Sequence, residues 1–130
     1  PGSAWCRAGV GALTVVPGQE VIAGSRRMRA GTATELLLNM LSTAVMIRLG
    51  YVYGNLMVNV QPKNHKLVDR ATRIIGEAAG VSIEQAGELL DKSGRDVKKA
   101  IVMGRLGVGD QLAQEKLAAA RGRVREALEN

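Results

Sequence analysis

A chain of 130 residues with a net charge of +6 is long enough for one domain, or for a small domain with an appendage. Its single cysteine excludes an intrachain disulfide and a cysteine-based metal cluster and is typical of a reducing compartment, so we predict a cytoplasmic protein without a metal or another cofactor. The charge raises a polyanion as partner, but two tyrosines and no phenylalanine offer no stacking platform for single strands, and we predict no nucleic-acid partner.

The N-terminal part of the chain predicts one buried strand. Apolar and β-branched residues fill positions 10–16 (VGALTVV), between Gly9 and Pro17. Such an unbroken run is typical of a parallel sheet that is covered on both faces. The N-terminus lacks a basic segment followed by an apolar run, so no signal peptide is predicted.

Residues 18–32 (GQEVIAGSRRMRAGT) form a cationic loop that leads into a helix. The excess of positive charge is concentrated here, since the loop holds Arg26, Arg27 and Arg29. Unpaired backbone N–H groups and the helix dipole favour an anion at a helix N-terminus. We therefore predict a site for a small anionic ligand, with a solvated basic loop as the alternative. Three arginines so close in sequence cannot all reach one ligand, and at least one should face solvent or a partner.

Three other polar residues of the loop are candidates for the same site. The Ser25 and Thr32 hydroxyls could bind the anion together with backbone N–H groups. Glu20 could orient a sugar hydroxyl, act as a base or pair with a loop arginine, and pairing is favoured on general grounds.

The helix after the loop is apolar on nearly every side. Thr32 and Glu35 have the spacing of a capping box, which predicts a helix start at about Ala33. Such a helix is buried on most sides, and its cover is expected from another chain or from sequence outside this one. The apolar segment 36–49 has polar interruptions and is shorter than the roughly 20 residues of a span, so no membrane helix is predicted.

The second half of the chain predicts helices. Residues 51–62 are predicted to be extended, with a turn at Gly54-Asn55 as the alternative, and Asn64 and Gly80 bound a predicted helix over 65–79. His65 is predicted to be solvated. The segment 81–101 recurs 27 residues later as 108–128, and each copy predicts a helical hairpin with a glycine in its turn. The glycines of residues 104–109 are predicted to form a linker between the hairpins.

Three segments carry a family resemblance: 18–33 (GQEVIAGSRRMRAGTA), 38–43 (LNMLST) and 52–57 (VYGNLM). Together they closely resemble the signature of the N-acetylmuramic acid 6-phosphate etherases, and the glucokinase regulatory protein belongs to the same wider family. The resemblance also takes in residues 64–67 and the helical tail, so it covers essentially the whole chain.

The resemblance implies a mainly α chain with a small α/β portion. That portion would be the C-terminal end of a sugar isomerase (SIS) type parallel sheet, about one strand plus the buried helix. A UBA-like helical bundle would follow it. The implied domains are residues 1–60 for the SIS part, 61–106 for a UBA-like three-helix module and 107–130 for a helical hairpin. A homodimer formed through the apolar helix is implied as well.

The resemblance also implies a reaction, in which the D-lactyl ether of N-acetylmuramate 6-phosphate is cleaved to N-acetylglucosamine 6-phosphate and D-lactate. The family's acid and base are glutamates of the upstream half, so no catalytic residue is expected in this chain. The residues implied to bind the sugar 6-phosphate are those of the loop: Glu20, Ser25, Arg26, Arg27, Arg29 and Thr32. The alternatives are a non-catalytic sugar-phosphate-binding regulatory domain and a helical module that binds protein or nucleic acid.

The chain departs from the family pattern at five positions. The family usually has Pro at Gln19, Thr at Arg26, Lys at Arg29, Lys at Glu35 and Asp at Asn59. The change from Thr to Arg at position 26 places a bulky cation beside the expected pocket, so it bears most directly on the substrate.

Overall fold

A computed structural model describes residue 11 and residues 13–129 of the chain. In order, its elements are α1 (Arg29–Arg48), β1 (Val52–Tyr53), β2 (Leu56–Met57), α2 (His65–Ala79), α3 (Ile83–Lys92), α4 (Val97–Leu106), α5 (Asp110–Ala119) and α6 (Val124–Glu129). The predicted class, mainly helical with a small sheet, is confirmed.

The chain divides into two compact units, an N-terminal unit (Pro1–Ala44) and a C-terminal unit (Val45–Asn130). The division falls within α1, so one helix contributes residues to both units. The domain boundaries predicted after residues 60 and 106 stay predictions.

The strand predicted over residues 10–16 is wrong where the structure describes it. Residues 13–20 have no regular secondary structure, and Val16 exposes 72% of its surface. Residues 10 and 12 lie outside the described residues. A strand needs a neighbour for its backbone N–H and C=O groups, and β1 and β2, the strands described, pair with each other in an antiparallel hairpin. The described sheet is therefore not a parallel one.

Helix α1 is longer than predicted and begins at Arg29, four residues before the expected start at Ala33. None of its residues is buried within the chain. At 20 residues it is long and apolar enough to cross a membrane by length and composition, a test that a core helix of a soluble protein also passes. The length argument against a span was therefore wrong, and the absence of a membrane helix stays a prediction.

The start of the C-terminal unit follows the local sequence signals. Strands β1 and β2 form a hairpin around Gly54-Asn55, which confirms the turn alternative. Helix α2 has the predicted bounds: the Asn64 side chain accepts a hydrogen bond from the Leu67 N–H at 3.0 Å, and Gly80 ends the helix with a φ of 73°. His65 is exposed, as predicted.

Helices α3 to α6 form two hairpins with the predicted repeat of 27 residues. Their turns match hydrogen bond for hydrogen bond, since Gly94 and Arg95 donate to Asp91 and Leu90, and Arg121 and Gly122 donate to Ala118 and Leu117. The buried positions match too, in the pairs Ala86 and Ala113, Leu90 and Leu117, Val97 and Val124, and Ala100 and Ala127.

The core of the C-terminal unit is aliphatic and lies between α2 and the two hairpins. Its largest fully buried apolar side chains are Ile75, Leu90, Ile101, Val58, Val97 and Val102. The predicted glycine linker is wrong for Gly104, which lies inside α4. A Cβ at Gly104 would lie 2.9 Å from the Cβ of Ala79, so the missing side chain lets α4 approach α2 closely.

Candidate functional site

The cationic loop of the N-terminal unit is organised by Glu20. Its Oε2 accepts a hydrogen bond from the Arg29 N–H at 3.0 Å, and its Oε1 accepts one from the Ala30 N–H at 2.9 Å. These are the first two N–H groups of α1, which have no acceptor inside the helix. The carboxylate therefore caps the helix from nine residues upstream and occupies the position that an anionic ligand would take there.

Glu20 is paired, but with backbone N–H groups rather than with an arginine side chain as expected. The hydrogen bonds from Ala30 and Arg29 lower the pKa of Glu20 below its ordinary value of 4.5, and the charge of Arg29 contributes less. The carboxylate is thus ionised at neutral pH, and both of its oxygens are engaged. Of its three possible roles, that of a proton-accepting base fits this geometry worst.

Two further hydrogen bonds shape the loop. The Arg29 guanidinium donates from Nη1 to the Gln19 carbonyl oxygen at 2.7 Å, so this arginine is used to hold the loop. The Arg27 N–H donates to Ser25 Oγ at 3.4 Å, and the Ser25 N–H donates to the Ile22 carbonyl at 3.1 Å. All three arginines are exposed, and Arg29 is the one of them whose guanidinium is hydrogen-bonded to the backbone of the described loop.

Arg26 lies beside the first turns of α1. It borders a shallow depression of about 470 Å³, which is lined by Arg26, Ala30, Gly31, Thr34, Glu35, Leu38 and Asn39. A Cβ at Gly31 would lie 3.6 Å from the Arg26 carbonyl oxygen, so loop and helix are in close contact here. This is the cavity that the structure describes beside the loop. Arg26 is the positively charged residue in its lining.

Thr32 does not have the predicted capping role. Because α1 begins at Arg29, Thr32 lies in its first turn, and its N–H donates to the Met28 carbonyl at 3.0 Å. The predicted capping box with Glu35 is therefore wrong, and its function is performed by Glu20. The structure thus brings Glu20, Ser25, Arg27 and Arg29 into one hydrogen-bonded loop, with Arg26 in the same loop beside the first helix turn and Thr32 in that turn.

Sequence reasoning missed the cap because its signal is not local. A capping residue is expected directly before a helix, whereas Glu20 is nine positions away and reaches α1 only after the chain has turned. Gly18 and Gly24, at φ values of 82° and 86°, supply backbone conformations that this turn needs and that other residues rarely adopt. Across the part of the chain that the structure describes, no three His, Cys, Asp or Glu side chains are grouped so as to hold a metal.

Comparison with known proteins supports the family resemblance. No protein-family model matches the chain. Curated relatives match it closely: 48% identity over 117 residues to a protein of Pectobacterium atrosepticum, 50% over 118 to one of Geobacillus thermodenitrificans and 53% over 116 to one of Rubrobacter xylanophilus. These alignments cover 90%, 91% and 89% of the chain.

All three relatives carry the name N-acetylmuramic acid 6-phosphate etherase. The aligned part is 39%, 40% and 38% of their lengths, so the chain spans about two fifths of the curated relatives it matches. The chain is homologous to the C-terminal part of the N-acetylmuramic acid 6-phosphate etherases, and the resemblance predicted from its sequence is confirmed.

Proposed function

We propose that this chain is the C-terminal part of an enzyme that cleaves the D-lactyl ether of N-acetylmuramate 6-phosphate. The products would be N-acetylglucosamine 6-phosphate and D-lactate. The observation that carries the proposal is the identity of about half of all aligned residues to relatives that are named for this etherase activity. The loop of residues 18–32 supports it, since its sequence matches the family signature and its exposed cations suit a phosphorylated sugar.

The loop would line the sugar-phosphate pocket, with different tasks for its residues. Glu20 and Arg29 hold the loop against the N-terminus of α1 and so position it. Arg27, Arg26 and the Ser25 hydroxyl remain as groups for the substrate, with Thr32 on the next turn. A guanidinium can bind phosphate through two N–H groups, which favours Arg26 and Arg27 as phosphate or hydroxyl ligands.

The chemical step would depend on glutamates outside this chain. In the proposed elimination, a base removes the proton next to the aldehyde of the open-chain sugar, the C–O bond breaks and lactate leaves. Water then adds to the resulting double bond. Glu20 is unsuited to be that base, because two backbone N–H groups engage its oxygens and lower its pKa.

Helix α1 supports a larger assembly. Its large apolar side chains, among them Leu38, Met40 and Ile47, expose about half of their surface or more in this chain. We propose that the rest of a SIS-type sheet and a second copy of the protein cover α1 in a cytoplasmic homodimer. The bundle of α2, α3 and α4 would be the UBA-like module, acting as a structural element. Exposed apolar surface of this extent is typical of an interface.

Release of D-lactate tests the proposal. The whole protein encoded by the reading frame, extended upstream of Pro1, is incubated with N-acetylmuramate 6-phosphate, and D-lactate is measured with a coupled dehydrogenase. We expect turnover by the whole protein and none by the 130-residue chain. Binding of the sugar phosphate without lactate release would favour the regulatory alternative, and turnover by the chain alone would refute the placement of the acid and base.

Variants of the loop test its part in binding. In the whole protein, Arg27→Gln should raise KM by about tenfold or more, since a charge-assisted hydrogen bond contributes about 1.5–3 kcal/mol. Arg73→Gln is the matched control, because Arg73 is exposed on α2 and pairs with Asp69. Arg26→Thr restores the usual residue of the family and tests whether Arg26 alters the substrate preference. An unchanged KM in Arg27→Gln would remove Arg27 from the pocket.

A further inference from the structure

The C-terminal unit contains a groove whose cations come from three separate segments. The groove has a volume of about 880 Å³, within the range of about 300–1,000 Å³ of small-molecule sites. Four basic side chains line this groove, which we call the basic groove. They are Lys63 before α2, Arg95 and Lys98 of the first hairpin and Arg121 of the second. Asp96 is the one acidic residue in its lining.

The groove has little negative charge of its own to neutralise its cations. The Asp96 carboxylate caps α4, since its Oδ1 accepts from the Lys99 N–H at 3.1 Å. The Lys98 ammonium is half-buried, donates to the Gly122 carbonyl at 3.0 Å and lies 5.0 Å from the centre of the Tyr51 ring. Burial lowers the pKa of Lys98, and the negative charge of Asp96 raises it by a smaller amount. A bound anion would stabilise the charged form of this ammonium, which desolvation disfavours.

The backbone at Arg95 and Arg121 gives an independent sign of function. Among the described residues these two are the non-glycine residues with positive φ, at 67° and 52°, and both line the basic groove. In the 27-residue repeat, Arg121 stands where the first hairpin has Gly94, and Arg95 stands where the second has Gly122.

Each copy of the repeat therefore shows that glycine fits the same turn position. Glycine adopts this left-handed conformation without the steric cost that a side chain incurs. The Arg95 guanidinium has one long hydrogen bond, 3.5 Å to the Pro62 carbonyl, and that of Arg121 has no such partner among the residues that the structure describes. Strained backbone conformations of this kind cluster at functional sites.

We propose that the basic groove binds a small molecule that carries at least two phosphate groups. The groove has four cations and one carboxylate, which is already engaged, so a ligand with several negative charges complements it. Its two guanidiniums can each bind a phosphate through paired N–H groups. A compact ligand fits better than a nucleic acid strand, because the cations converge on one concavity and the Lys98 ammonium already covers a face of Tyr51. This site lies in the C-terminal unit and does not depend on the function proposed for the loop.

Titration with tripolyphosphate tests the proposal on the 130-residue chain. At about 0.15 M salt, where long-range attraction is screened, nuclear magnetic resonance should show saturable shifts of the Arg95, Lys98 and Arg121 amides. The double variant Arg95→Gly, Arg121→Gly should bind at least about tenfold more weakly, since two charge-assisted contacts are lost. Its melting temperature should be unchanged or higher, because glycine relieves the backbone, and this excludes unfolding as the reason for weaker binding.

Two control variants separate binding in the basic groove from a general attraction of the anion to positive charge. Arg73→Gln with Lys92→Gln removes the same charge from exposed helix positions outside the groove and should leave affinity within about twofold. Arg70→Gln with Arg105→Gln, which removes two exposed arginines outside the groove, should also leave it unchanged. Absence of saturable binding, equal weakening in either control, or tighter binding of a single-stranded oligonucleotide than of tripolyphosphate would each overturn the proposal.

Discussion

Helices α1 and α4 show how little apolar composition says about burial. Helix α1 carries leucine, methionine, valine and isoleucine on nearly every side and buries none of its 20 residues within the chain. Helix α4 has 10 residues with three basic side chains among them, and five of its residues are buried. The difference lies in the neighbours, because α4 packs among α2, α3, α5 and α6 whereas α1 has no such layer among the described residues.

The two helices also differ in how their starts are determined. The Asp96 side chain, directly before α4, accepts from the N–H three residues on. The cap of α1 comes from Glu20, which a loop brings back to the helix. Local caps accompany the packed bundle, and a cap that depends on tertiary structure accompanies the exposed helix. The predictions below test this contrast.

The largest effect is expected from removal of core volume. Ile101 is fully buried in α4, so Ile101→Ala should lower the free energy of unfolding by about 2–5 kcal/mol. Ile47→Ala, on the half-exposed surface of α1, should change it by less than about 0.5 kcal/mol. Urea unfolding followed by circular dichroism measures both values. Equal losses would show that α1 packs in solution as tightly as α4.

A pair of glycine variants tests the packing within the bundle. A Cβ at Gly104 would lie 2.9 Å from Ala79 Cβ and from Leu89 Cδ1, so Gly104→Ala should lower stability by about 1–3 kcal/mol. Gly87 lies in α3 with nothing within 4 Å of its added Cβ. Gly87→Ala should therefore raise stability by about 0.5–1 kcal/mol. If both variants gain stability, the close approach of α4 to its neighbours is wrong.

The repeat allows a smaller test of local capping. Ser82 caps α3 with a hydrogen bond of 3.3 Å from the Gln85 N–H, whereas Gly109, its counterpart in the second copy, has the same extended backbone without a side-chain cap. Gly109→Ser should stabilise the chain and Ser82→Gly should destabilise it, each by a few tenths of a kcal/mol, on the order of 0.3. Thermal unfolding measures both changes, which should shift the melting temperature in opposite directions. Changes of the same sign would contradict the structural equivalence of the two caps.

The smallest effect on global stability is expected at Glu20, where the change should stay local. The pKa of Glu20 is lowered in the folded chain, so its stabilising effect is complete above the ordinary value of 4.5 and is lost as the pH falls through the folded pKa. The protection of the Arg29 and Ala30 amides from hydrogen exchange, relative to the intrinsic rate at each pH, should fall over that range, and Glu20→Gln should weaken this protection at neutral pH as well.

Glu35→Gln is the matched control for this experiment, since Glu35 lies within α1 and does not contact those amides. It should leave the exchange of both amides as in the unaltered chain. Accelerated exchange in the control, or slow exchange in Glu20→Gln, would show that the helix is capped in another way.

The bundle was predictable because its signals are close together in sequence. Asn64 and Gly80 bound α2 at the predicted residues, and Ser82 with Gln85, three residues further on, forms a capping box at the start of α3. In the N-terminal unit the same reasoning failed: α1 begins four residues before the prediction, and the described residues 13–16 do not form a strand. The reason is physical, since a strand depends on hydrogen bonds to another strand that sequence periodicity does not supply.

By itself the sequence determined the helical bundle, its 27-residue repeat, the resemblance to the etherases and the set of loop residues that carry charge. Residue spacing is sufficient for these features, because helix periodicity and caps act over three or four residues. Only the tertiary structure decided that Glu20 caps α1, that Arg29 donates to the Gln19 carbonyl and that Arg95 and Arg121 line one groove. Each of these depends on chain reversals that bring distant residues together, and such reversals leave no regular spacing in the sequence.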